Sequence, residues 1–139
     1  MMKFLTAIIF SMIIFCGVFS PALYSANDGL DELNQYRARK GLRPFARDVN
    51  LSSAAGAAAD YRATHLIKGH VNVVVHGRKY SDYDFLPAGS PRAQATGCAA
   101  AGDEWGWLSC CANENWKYAG AAWTRGRDGQ RYMHLYVRN

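Results

Sequence analysis

The side chains with a capacity for chemistry are His65, His70, His76 and His134, the cysteines Cys98, Cys110 and Cys111, and the tryptophans Trp105, Trp107, Trp116 and Trp123. An imidazole beside a carboxylate can exchange protons with a substrate, which makes His70 with Glu104 or Glu114 the candidate cleft. Zinc asks for ligands converging within about 2 Å of one point. His70 and His76 are six residues apart, so on one extended strand they stand about 20 Å apart and cannot share an ion. His65 and His70 can meet around a helix end, but no third ligand has a recognisable spacing, and Cys110-Cys111 is not a Cys-x-x-Cys pair; no metal or other cofactor is called for. A cysteine nucleophile needs a free thiol beside a base, a role open to whichever cysteine is left unpaired. The chain has no Gly-x-Ser-x-Gly, Walker or dinucleotide motif. The tryptophans interleave with Asp103, Glu104, Asn113, Glu114 and Asn115. Such rings fill the core of a small domain or, beside amides and acids, stack on sugars or grip a peptide or lipid; in the second use Trp105, Trp107 and Trp116 are the contact candidates.

These residues must work in a particular compartment. Lys3 precedes the unbroken apolar run from Phe4 to Phe19, and Ser20, Pro21, Ala22, Ser25 and Ala26 follow. That is the three-part pattern of a secretory leader over 1–26, and the run is short for a spanning helix. Phe15 before Cys16 argues against lipid attachment, which needs a small residue there. Export to the periplasm or the medium permits disulfides, so Cys98 is expected to pair with Cys110 or Cys111, leaving one thiol. Adjacent cysteines point apart along extended backbone and cannot readily join each other. The loop so closed, about a dozen residues, contributes on the order of 3 kcal/mol.

The chain of 139 residues has a formal charge of +5, and eleven of its sixteen cations are arginines spread from Arg37 to Arg138 without a block. A nucleic-acid binder concentrates its cations on one element, so no nucleic-acid partner is expected. Membrane contact is expected only through the leader before its removal, and the partner is an extracellular or envelope ligand.

One domain, 27–139, has to position the candidates. Asp28 can cap a helix carrying Leu30, Leu33 and Tyr36 on one face, which Gly41 stops. After Asp48 or Asn50, Leu51, Ala54, Ala58, Tyr61 and His65 form one helical stripe ending at Gly69. Its alanines allow close approach, which suits a helix lying flat on a sheet. Val71, Val73 and Val75 alternate with His70, Asn72, Val74 and His76, the pattern of a short strand. Residues 77–97 show no period and read as a long surface loop. The chain then predicts a hairpin: Tyr118 to Thr124, a turn carrying Asp128-Gly129, and Gln130 to Val137 with Met133, Leu135 and Val137 inward.

Asn34-Gln35-Tyr36-Arg37 running into Gly41-Leu42-Arg43-Pro44-Phe45, the alanine-rich second helix with His70 just after it, and the closing segment Tyr118-Ala119-Gly120-Ala121-Ala122-Trp123 through Asp128-Gly129 to Tyr132 resemble the CAP superfamily of SCP-like, cysteine-rich secretory and pathogenesis-related proteins. The resemblance spans about half of 27–139. It implies an α/β fold, an α-β-α sandwich of CAP type with the two N-terminal helices on a small antiparallel sheet, and a cleft in which only His70 matches the family's polar set. The family's Gly-Glu-Asn element is absent, with Ala95-Thr96-Gly97-Cys98 near its place, and Ser109-Cys110-Cys111-Ala112 stands where Ser-Pro-Gly-His is expected. The expectation is therefore a shortened, non-catalytic relative that binds a glycan, lipid or peptide; the alternative is a small secreted hydrolase using His70 with a carboxylate.

Overall fold

A computed structural model describes residues 26–90, 96–102, 105 and 111–139, without the side chains of 96–99. The leader, Glu104, Trp107 and Cys110 lie outside the described residues, as does the side chain of Cys98. The fold is mixed α/β. Strand β1 (Asn27–Asp28), helix α1 (Leu30–Arg39), strand β2 (Ala46–Arg47) and helix α2 (Val49–His65) come first. Strands β3 (Asn72–Val75) and β4 (Arg78–Ser81), a 3-10 turn (Asp82–Phe85), and strands β5 (Thr96–Ala101), β6 (Tyr118–Arg125) and β7 (Arg131–Arg138) follow. The main sheet runs β1-β6-β7-β5, antiparallel throughout, with β2 added parallel to β6.

Alternation along the β6–β7 hairpin divides its residues between two covered faces. Ala119 and Ala121 on β6, with Met133, Leu135 and Val137 on β7, meet Leu30, Leu33, Tyr36, Phe45 and Trp105. Ala122 and Tyr136 point the other way and meet the α2 stripe of Leu51, Ala54, Ala55, Ala58 and Ala59. The second face is packed at backbone distance: a β-carbon at Gly120 would stand 2.0 Å from the carbonyl carbon of Leu51. Alanines on the helix and glycine on the strand are what allow this approach.

Helix α2 starts on a side-chain cap, whereas the N-cap of α1 is Gly29, one residue after the expected Asp28. Asp28 accepts the Leu30 amide (2.9 Å) at the head of α1, and Asp48 caps α2 by accepting the Leu51 amide (2.9 Å). α2 stops earlier than Gly69 suggested, because Leu66 takes a left-handed conformation (φ 54°) and closes the helix on the Arg62 carbonyl. The expected loop over 77–97 is also corrected. Gly77, with φ of 77° beside His76 at 49°, forms a tight turn that pairs β4 back onto β3. Ser81 and Asp84 then form a reciprocal capping box around the 3-10 turn. Among the described residues no helix is long and apolar enough to cross a membrane.

Candidate functional site

Two polar constructions stand out, one at the end of each helix. At the end of α2, Arg62 is fully buried and its guanidinium is spent on backbone. Nε donates to the Gly69 carbonyl (2.8 Å), one terminal nitrogen to Lys68 (2.8 Å), and the other to Met133 of β7. Burial pulls its pKa down to about 10, against the favourable charge of Asp82. These bonds pin the segment after α2 and deliver His70 to the head of β3.

The partner of His70 is Asp82, the first residue of the 3-10 turn and almost wholly buried. Asp82 Oδ2 hydrogen-bonds His70 Nδ1, and Oδ1 accepts the Val71 amide at 2.8 Å. A carboxylate only accepts, so Nδ1 carries the proton and Nε2 is the nitrogen left to exchange one with a substrate. The His70 side chain is 54% exposed. The bond to Asp82 raises its pKa against the opposing effect of burial. Burial alone would raise the Asp82 carboxyl, but the His70 bond, His134 and the Val71 amide together carry it below the usual carboxylate range. Behind the pair lies His134 of β7, with Nε2 3.8 Å from Asp82 Oδ1, no exposure, and, among the described residues, no hydrogen-bond partner for either ring nitrogen. Burial drops its pKa to about 3, so it is neutral. Tyr136 donates its hydroxyl to the Asp82 carbonyl and completes the floor. An exposed imidazole oriented by a buried carboxylate is a proton-transfer pair.

At the end of α1, Arg37 is also fully buried and also serves backbone. It donates from Nε to Arg43 (2.8 Å) and from one terminal nitrogen to Ala112 (2.6 Å) and Glu114 (2.9 Å), with its guanidinium 3.7 Å from the Phe45 ring centre. Asn34 holds both backbone groups of Phe45, and the Tyr36 hydroxyl reaches Asn113 Oδ1 at 3.1 Å. The segments around residues 43 and 114 are thereby locked side by side. Between them opens a groove of about 400 Å³ lined by Arg43, Pro44, Ala46, Asn115, Trp116, Lys117 and Asn139. A smaller hollow at Glu114 shares Trp116 with it. The indole Nε1 donates to Glu114 Oε2 at 2.9 Å, which sets the plane of the ring.

Three sequence expectations change. Glu114 is committed to Trp116 instead of His70. Asp82, which lay inside the expected loop, takes its place; Ser81 three residues before Asp84 was the signal that an ordered turn starts there. Trp105 is 2% exposed and packs in the α1 cluster, so it is a core residue and not a contact. Its ring lies where a β-carbon on Gly29 would come within 2.6 Å, so the tight entry to α1 encloses it. His134 lies on the expected hairpin; its alternation with Tyr132 and Tyr136 under α2 marks a second buried face. Cys111 is buried and disulfide-bonded, with its partner outside the described side chains. Among the described residues no group of three or more His, Cys, Asp or Glu side chains converges on a metal position. Compared with protein-family models, with curated proteins and with solved structures, the chain matches none.

Proposed function

We propose that residues 27–139 form an exported, CAP-like domain that binds an extracellular or envelope ligand, with the groove at Trp116 as its contact surface. The observation that carries this is the placement of Trp116: a ring oriented by Glu114, set in an open groove, between the cations Arg43 and Lys117 and the amide of Asn115. A flat aromatic face with hydrogen-bonding groups at its rim suits the apolar face and hydroxyl edge of a sugar. The CAP reading draws support from the order of the elements, with one helix against each face of the hairpin's sheet as an α-β-α sandwich requires, and from His70 directly after the second helix. The disulfide at Cys111 accords with work outside the cytoplasm.

Binding to insoluble cell-wall glycan and to soluble N-acetylhexosamine oligosaccharides tests the proposal. Wild type should be retained, and Trp116→Ala should weaken retention about thirtyfold, the scale of a buried aromatic anchor. Equal retention of the two proteins would remove Trp116 from the contact surface.

The hydrolase reading has one observation of its own, the His70–Asp82 pair. It expects turnover of an ester or glycoside probe that His70→Ala abolishes and Trp116→Ala spares, and its failure leaves the groove untouched.

A further inference from the structure

The β3–β4 hairpin takes no part in either construction. Its strands pack chiefly on each other, with β4 adding the 3-10 turn that follows it. A two-stranded ribbon of this kind is marginal in water unless it is anchored, and here the anchors lie at its base. Val71 is buried, and the Tyr80 ring stacks on Tyr61 of α2 with centres 6.4 Å apart. The other end projects. Val74 is 68% exposed and Val75 39%, on opposite faces of the ribbon beside the turn. The remaining exposed large hydrophobic among the described residues, Val49 at 76%, stands alone at the start of α2.

The cross-strand register gives each tip valine a cationic neighbour: Lys79 opposite Val74 and Arg78 opposite Val75. Asp84 approaches the Arg78 guanidinium at 3.8 Å and offsets part of its charge; Lys79 makes no ion pair among the described residues. A projecting tip with one valine and one cation on each face, entering end-on, matches a surface that is apolar beneath and anionic above. The area of the two valines falls far short of the roughly 800 Å² per partner that a stable protein interface buries, whereas a bilayer demands no shape complementarity.

We infer that the 74–79 tip docks on anionic lipid, with Val74 and Val75 entering the acyl boundary and Lys79 and Arg78 meeting the headgroup phosphates. This adds a membrane contact to the leader, which the sequence singled out alone.

Hydrogen exchange of the full chain on lipid vesicles tests it, because the readout at residues 72–81 is local and separate from whatever the leader does. On vesicles of equal parts phosphatidylcholine and phosphatidylglycerol the tip amides should exchange several-fold more slowly than on phosphatidylcholine alone. The pair Val74→Asp and Val75→Asp should erase the protection, and Lys79→Glu should reduce the affinity behind it about tenfold. Val49→Asp should leave the protection intact. Equal exchange on both vesicles, protection that survives the double valine variant, or loss with Val49→Asp would each overturn the inference.

Discussion

Both helices end in a buried arginine whose guanidinium serves three backbone carbonyls, yet the two ends are built for different conditions. Arg37 is surrounded by an aromatic ring, amides and carbonyls, and the groove it supports has Trp116 as its main feature. Arg62 lies beside Asp82, His70 and His134, three groups that titrate. One construction is therefore held chiefly by backbone and the other carries charges coupled to one another. The contrast matches the two functions weighed above, since a contact surface needs constant shape while a proton-transfer pair must be able to change charge.

The contrast breaks most visibly at the arginines themselves. Arg62→Met should leave the buried Met133 carbonyl and the part-buried carbonyls of Lys68 and Gly69 without their donor and cost about 4 kcal/mol, as each unmet buried group costs about 1–3 kcal/mol. Arg37→Met also removes the donor of one buried and two part-buried carbonyls but should cost about 3 kcal/mol, because the thioether keeps contact with the Phe45 ring. Denaturant unfolding of the two variants gives both figures. If Arg62→Met is the milder change, contact with the Phe45 ring does not offset the lost donor.

The faces of the sheet differ in the same sense. α1 stands off on Leu30, Leu33, Tyr36 and Trp105, whereas α2 touches β6 through backbone at Gly120. Gly120→Ala should cost about 3 kcal/mol, at the upper end for an added methyl, because the obstructing atoms belong to the first turn of α2 and no side chain can swing away. The two methyl groups added by Ala121→Val on the α1 face should be tolerated better than that single one, as side chains there can adjust. Thermal unfolding of the pair reads the difference, and equal losses would erase the distinction between the faces.

How much of this was legible in the sequence follows from where each signal is stored. The β6–β7 hairpin could be read because alternation and Asp128-Gly129 are local, and α2 because its alanine stripe repeats at helical spacing. β4 could not, since Arg78–Ser81 becomes a strand only by pairing with β3 after the His76-Gly77 turn. The residue types placed His70 and Trp116 among the candidates. They could not tell Trp105 from Trp116, because a fully buried tryptophan and one at the rim of the core share one composition and differ only in what covers them. Asp82 was missed for a related reason: an aspartate among Ser, Tyr and Asp reads as solvated until the fold buries it behind β7.

The response to pH separates the two ends most cleanly. His134 is held neutral with its pKa lowered to about 3, so the stability it supports is complete above the unfolded value of 6.5 and is lost as pH falls toward 3. Asp82, also lowered, contributes above 3.8 and loses its contribution only as pH falls through its folded value. His70 has the opposite sign: raised above 6.5, its bond to Asp82 stabilises fully below that pH and weakens as pH rises through the folded value. Between pH 6 and 4 the His134 effect should dominate, with a slope approaching 1.4 kcal/mol per pH unit for one excluded proton. His134→Leu should flatten that acid slope, and His70→Gln should flatten the alkaline decline while leaving the acid slope in place. Neither change should alter glycan retention at the Trp116 groove. Stability curves measured from pH 4 to 9 for the three proteins check this, and an acid slope unchanged in His134→Leu would mean that the proton is taken up elsewhere.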